Sequence, residues 1–341
     1  MQNIPERVQI SPKPIKSYPI GYKISKGTMK VSLIDVDGRN YPNLALMKLS
    51  AFHKMQGDAV DWYDPMFSRP ERIYASKIFN FSSEPFINPN DPEPEKGGTG
   101  YSLTKKLPEE VDGMFPDYSI YPKYDFAIGF LTRGCIRQCP WCVVPKKEGR
   151  LAIYSDIEKI RRTDTKKVCL MDNNFLASPR EFMEEQVSKI EALGLRIDFN
   201  QGLDARLVDE DTAILLNRIK WIRYIRFSCD TQSAITPVIK AIKTLRSVGY
   251  KGEVFCYFLA IEVQETLDRI SQVLSQDKKT TPFVMPFRNL ENGIISNPDL
   301  QKLARWCNIQ SIRNTIPFSE YTNIKSVKEH KVQSQQPTLF D

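Results

Sequence analysis

The chain has 341 residues, of which 41% are hydrophobic and 26% charged, with a formal net charge of +7. These proportions allow one large domain and a smaller one with ample core, and they exclude an intrinsically disordered chain. No apolar run reaches the roughly 18 residues of a membrane span, so no membrane partner is expected. Met1-Gln2-Asn3-Ile4-Pro5-Glu6-Arg7 lacks the basic-then-apolar order of a signal peptide, and the expected compartment is cytoplasmic. Thiols stay reduced there, so an odd count of seven cysteines points to metal chemistry rather than disulfides. The basic charge favours a polyanionic partner such as nucleic acid only weakly, because a moderately basic surface is also simply a soluble one.

In chain order, Met29–Asp35 reads as a strand, Leu44–Gln56 as an amphipathic helix and Arg72–Asn80 as a second strand, a βαβ pattern. Ser82 to Lys96 carries Pro85, Pro89, Pro92 and Pro94 and is expected to be an irregular connector. From Tyr124 onward a strand–helix rhythm sets in. Its strands are Asp125–Leu131, Lys167–Met171, Arg196–Phe199, Tyr224–Ser228, Glu253–Ile261 and Pro282–Pro286, with helices around 155–162, 179–193, 208–219, 233–247, 263–275 and 298–307. Ser178-Pro179 marks a helix start and Gly194 a helix stop before a strand. Six βα units argue for an α/β fold with a helix-covered parallel sheet, closing as a partial (β/α)6 TIM-like barrel; a doubly wound open sheet is the alternative the pattern still allows. The division expected is a small, truncated Rossmann-like α/β region over 1–120, the barrel over 121–320 and a polar tail over 321–341.

After the first barrel strand come Cys135, Cys139 and Cys142 in Arg-Gly-Cys-Ile-Arg-Gln-Cys-Pro-Trp-Cys, a C-x3-C-x2-C loop. Three thiolates are one fewer than a closed zinc site or an electron-shuttling iron–sulfur cluster takes. A zinc site completed elsewhere would need a further ligand, but the histidines are only His53 and His330, and Cys169, Cys229, Cys256 and Cys307 stand singly. Cys169 and Cys256 lie in apolar runs, where a small buried thiol is the ordinary outcome. This spacing, with Trp141 before the last cysteine, resembles the cluster loop of the radical S-adenosylmethionine superfamily. The resemblance implies a partial barrel and a 4Fe-4S cluster on the three cysteines. It also implies S-adenosylmethionine on the free iron, its reductive cleavage to a 5'-deoxyadenosyl radical, and a flavodoxin- or ferredoxin-like electron donor.

In a parallel barrel, ligands gather at the carboxyl ends of the strands, and polar residues burst from the apolar strands there. Asp172, Asn173 and Asn174 follow the second strand where the family binds the methionine ammonium; a turn cap is the plainer reading. Gln201, Asp204 and Arg206 follow the third and could contact S-adenosylmethionine or substrate, while Asp204 and Arg206 could equally form a structural ion pair. Ser228 and Asp230 follow the fourth, where relatives contact ribose or carboxylate, and Arg288 follows the sixth, facing either substrate or solvent. Trp141, Phe130 and Phe175 could wall the site, although aromatics beside barrel strands are more often core.

The upstream region resembles a shortened cobalamin-binding domain at Ile34–Gly38, Tyr74–Phe79 and Gly97-Gly98-Thr99-Gly100-Tyr101. No histidine stands near Asp35 or Asp37 to ligate cobalt, and bound cobalamin is not expected. The terminal Gln336-Pro-Thr-Leu339-Phe340-Asp341 matches the short peptide that docks into the bacterial DNA sliding clamp, with Lys325, Lys328 and Lys331 leading in. The sequence thus predicts a radical S-adenosylmethionine enzyme with an unidentified substrate, nucleic acid being the first class to test. Its rival is a non-catalytic iron–sulfur module, redox-sensing or structural, associated with DNA or the clamp.

Overall fold

The computed structural model describes residues 28–289, 293–295 and 297–322. His330 and the Gln336–Phe340 motif lie outside them. None of the described helices is long and apolar enough to cross a membrane.

The first sheet is built round β1 (Lys30–Asp35), whose centre is buried. β1 is followed by α1 (Leu44–Met55), β2 (Ala59–Trp62), β3 (Arg72–Ser76) and β4 (Glu95–Gly97). The strand order is β2-β1-β3-β4, and every pair is parallel. Parallel neighbours need a crossover, and α1 supplies the one between β1 and β2. Asn43 caps it by accepting the Leu46 amide, while Leu46, Met47 and Leu49 bury its inner side.

Two features depart from the sequence expectation. The strand that closes the βαβ unit is Ala59–Trp62, so Arg72–Ser76 is the third strand rather than the second. Four residues that are nowhere fully buried lack the apolar run by which a strand is recognised. The connector over 82–96 also ends in structure, because the prolines stop at Pro94 and Glu95–Gly97 can form a ladder with Tyr74–Ser76.

α2 (Glu109–Asp112) still packs on the first region, Val111 joining Leu46 and Leu49; the second opens with β5 (Ala127–Gly129), then β6 (Thr132–Arg133), α3 (Val144–Lys147), β7 (Ala152–Ile153) and α4 (Ile157–Ile160). β8 (Lys167–Leu170), α5 (Arg180–Ala192), β9 (Arg196–Phe199), α6 (Glu210–Arg218), β10 (Lys220–Trp221) and β11 (Tyr224–Ser228) follow. The chain continues through α7 (Ile235–Ser247), β12 (Glu253–Ala260), α8 (Val263–Gln276), β13 (Thr280–Pro286), α9 (Asp299–Asn308) and α10 (Gln310–Thr315). One parallel sheet runs β10-β9-β8-β5 and another β11-β12-β13. They meet where Leu203, just past β9, forms a parallel bridge with Phe227 of β11 and donates its amide to the Arg226 carbonyl at 2.7 Å.

Alternation along the strands sorts two environments. On one face Val168 and Leu170 pack with Val187 and Ile190 of α5. On the other, Ile128 and Cys169 pack against Met47 of α1, with Tyr41 and Met171 beside them. The Tyr41 hydroxyl lies 3.0 Å from Cys169 Sγ and 3.5 Å from Met171 Sδ, so the upstream region packs a side chain onto the sheet face opposite α5. Further along that face Arg226 grips Asp198 through two hydrogen bonds of 2.6 and 3.1 Å, both residues being buried.

Asp35, at the end of β1, accepts a 2.7 Å hydrogen bond from the Tyr121 hydroxyl. Burial pushes its carboxyl from 3.8 up to about 7, helped by the charge of Asp37 and opposed by the Tyr121 bond. The folded chain therefore keeps a proton that the unfolded chain releases. This contribution to stability is full below about pH 4 and is lost as the pH rises to 7. Replacing the carboxyl with a neutral amide in Asp35→Asn should flatten the decline in urea midpoint between pH 4 and 7; an unchanged slope would contradict the assignment.

Candidate functional site

Because β5, β8, β9, β11, β12 and β13 are parallel, their carboxyl ends face one way, and the loops leaving them carry the residues singled out in the sequence. The cysteine loop is an excursion closed at its neck. β6 and β7 pair antiparallel across it, with Thr132 opposite Ile153 and Arg133 opposite Ala152. Arg133 adds a two-pronged ion pair to Glu148, both hydrogen bonds 2.9 Å. Gly134 has φ +84°, and a Cβ there would sit 2.3 Å from the Arg150 carbonyl oxygen, so only glycine lets the two sides approach this closely.

Asp172 ties this neck to the end of β8. It is fully buried and accepts from the Leu131 amide (3.0 Å), the Thr132 amide (2.6 Å) and the Thr132 hydroxyl (2.7 Å). Burial pushes its carboxyl up to about 7 while these donors pull the other way. Asn173 extends the tie, its side-chain oxygen accepting the Gly134 amide at 3.0 Å. Both residues are thus engaged with the backbone that launches the cysteine loop. Asn174 alone of the three reaches the thiols, donating to Cys135 Sγ at 3.4 Å and to Asp204 at 3.4 Å. Its side-chain oxygen is buried and has no hydrogen-bond partner.

Cys135 Sγ also accepts the Arg137 amide at 3.3 Å, and the Cys142 amide donates to the Cys139 carbonyl at 3.0 Å, forming a tight turn between the last two thiols. Burial pushes the Cys139 thiol up against the opposing charge of Arg206. It pushes Cys142 up as well, opposed by the Val144 amide and reinforced by Cys139, Cys135 and Asp230. Asp204 is clamped between Arg206 (2.6 Å) and Arg137 (2.9 Å); these two cations overcome burial and hold its carboxyl below the usual range. Asp230 is pushed up by burial, with the Leu259 amide and the Ser228 side chain opposing.

The structure therefore gathers Cys135, Cys139, Cys142, Asn174, Asp204, Arg206 and Asp230 within mutual electrostatic reach, with Ser228 beside Asp230. Gln201 is exposed, and Arg288 stands over Phe81 of the upstream region. Phe175 is core, stacked on Phe199 at 4.8 Å. Cys169, Cys229, Cys256 and Cys307 are buried and free. His53 bonds Asp58 (2.7 Å) and Tyr74 (3.0 Å) inside the first region. Among the described residues no group of three or more His, Cys, Asp or Glu side chains closes round a point as a single-ion site. Sequence reasoning passed over Arg137, whose only signal was its place inside the cysteine loop, and Tyr41, which had none. The glycines at 98 and 100 are explained by packing: a Cβ on Gly98 would lie 2.4 Å from the Lys77 carbonyl oxygen.

No family model matches the chain, and no curated protein matches it. The site is thus argued from its own residues.

Removing the Asp172 carboxylate leaves buried amides at Leu131 and Thr132 without acceptors, each costing about 1–3 kcal/mol. Asp172→Ala should therefore lower the unfolding free energy by about 2–4 kcal/mol in urea titrations, and a loss under about 0.5 kcal/mol would show that the tie is dispensable.

Proposed function

We propose that the chain is a radical S-adenosylmethionine enzyme, with Cys135, Cys139 and Cys142 holding a 4Fe-4S cluster. The observation that carries this reading is the C-x3-C-x2-C loop, pinned at its neck at the carboxyl end of the first of the parallel strands. The six strands are inferred to curl into a partial barrel, which would turn the loops after β5, β8, β9 and β11 toward one axis.

The donor set suits such a group. Thiolates without imidazole are the ligands of iron–sulfur centres. A single ion needs its ligands about 2.3 Å from one point, whereas a cluster is several atoms wide and takes ligands spread along a loop. When bound, the reduced cluster would supply the one electron that splits the sulfonium into methionine and a 5'-deoxyadenosyl radical, which takes hydrogen from a substrate not yet identified. A flavodoxin- or ferredoxin-like protein is the expected electron source.

The other roles belong to the chain. The unpaired, buried Asn174 oxygen is an acceptor suited to the methionine ammonium. Arg137 and Arg206 bring two positive charges against the single carboxylate of Asp204, and the excess favours an anionic group beside the thiols. Ser228 and Asp230 offer hydrogen-bonding partners to ribose hydroxyls. Asp172 and Asn173 hold the loop in register, and Tyr41 and Met171 keep the inner face shielded from water.

Anaerobic reconstitution tests the reading. About four irons per chain, visible charge-transfer absorption and 5'-deoxyadenosine released on reduction are expected, with Cys139→Ala losing all three. Asn174→Ala should weaken S-adenosylmethionine binding about 10- to 100-fold, as for one hydrogen bond to a charged group. A colourless zinc protein overturns the reading. So does an intact cluster that never binds S-adenosylmethionine, which would leave a structural or redox-sensing module.

A further inference from the structure

Large apolar rings are usually buried, yet Phe79 and Phe81, just beyond β3, are 42% and 40% exposed. Their loop is held in place from beneath. The Asp37 carboxylate accepts from the Ile78 amide (2.5 Å), the Phe79 amide (3.3 Å) and the Ser82 hydroxyl (2.5 Å). The two rings stack, with centroids 5.2 Å apart and planes 22° apart. Arg288, beyond β13, sets its guanidinium 4.0 Å from the Phe81 centroid and donates to the Gly293 carbonyl at 2.9 Å. The guanidinium and the Phe79 ring both pack on Phe81, and two fifths of Phe79 remains exposed. Such a cluster, fixed from beneath and part-exposed, offers a surface on which a flat π system can stack.

The surface leading away from it carries a series of lysines. The Gly100 amide donates to the Lys77 carbonyl at 2.8 Å, tying the Phe79 loop to the turn after β4. That turn runs into Ser102 and Lys105, whose carbonyls both accept from Lys147 of α3, at 2.8 and 2.9 Å. α3 begins two residues after Cys142. Lys105, Lys106 and Lys146 are exposed along this path, Lys105 also donating to the Lys96 carbonyl at 2.6 Å; Glu84 is paired with Lys77 and Tyr101, both at 2.8 Å, and Glu109 and Glu110 are exposed beyond Lys106.

We propose that this surface binds a single-stranded nucleic acid, one base stacking on Phe79 and the phosphates following Lys105, Lys106 and Lys146 toward the cysteine loop. A stacking platform beside a positive track is the combination that holds single strands, and a duplex hides the base faces that Phe79 would meet. The inference gives a substrate class to the reaction above and rests on that reading for its purpose, but not for the binding itself.

The test is fluorescence anisotropy with fluorescein-labelled oligothymidylate and oligouridylate, on reconstituted full-length protein, over a series of salt concentrations. Wild type should bind single strands, more weakly as salt rises, and bind the matching duplex less tightly. Phe79→Ala should lose about tenfold in affinity with little change in salt slope. The pair Lys105→Ala and Lys106→Ala should make the slope shallower by about 1.4. Phe79→Trp keeps the stacking surface, so it should retain affinity and show tryptophan quenching on binding, which separates a lost platform from a misfolded loop. Absent salt-sensitive binding, equal affinity for duplex, or Phe79→Ala binding like wild type overturns the proposal. S-adenosylmethionine cleavage without oligonucleotide binding would sink the platform alone, and binding without cleavage would sink the enzymatic reading alone.

Discussion

The departure of the cysteine loop from its strand depends on one buried carboxylate, that of Asp172. Asp172 belongs to the exit of β8, but its hydrogen bonds go to Leu131 and Thr132 at the exit of β5. Neighbouring parallel strands would otherwise part where their ladder stops, and a long loop leaving one of them would be free to swing. The carboxylate converts the end of the ladder into a fixed platform. From it the chain departs at Gly134, returns at Gly149 and closes through Arg133 and Glu148. A thiol loop anchored this way is pre-organised for a bulky ligand without the ligand's help.

The electrostatics around the thiols follow from the same economy of burial. Several groups here would be costly alone: Asp204 with little exposure, Arg137 close to it, two thiols pushed up by burial. They are tolerable together because Asp204 compensates both arginines and the arginines in turn ease the negative charge that thiolates would bring. The unpartnered oxygen of Asn174 stands apart from this mutual compensation. A buried acceptor left without a protein partner costs stability unless something else satisfies it.

Much of the larger region was legible in the sequence for a simple reason. Apolar residues recurring between polar ones marked Arg196–Phe199 and Tyr224–Ser228 to the residue, and the helices between them are long enough for their period to show. Ala59–Trp62 and Glu95–Gly97 were not legible, because strands of three or four residues are set by their neighbours and not by their own pattern. The cysteines declared themselves by spacing. Their surroundings did not, since the bond from Arg137 to Asp204 joins positions far apart in sequence and no local rule foretells it. Asp172 was legible as a polar residue at a strand end, but only packing decides that it faces the backbone. Asp198 and Arg226 had no sequence signal as a pair; packing alone brings them together, buried, across two strands.

The phenol of Tyr41, set against the sulfurs of Cys169 and Met171, joins the two regions at their packed surfaces. A small sheet attached by a linker can be exchanged or lost without harm to its neighbour. Here the upstream region supplies part of the interior of the downstream one, through Met47 and Tyr41 alike. The two are therefore not separable modules that happen to be adjacent. Taking either away would open the other's packed interior to water, so the pair folds around one shared seam.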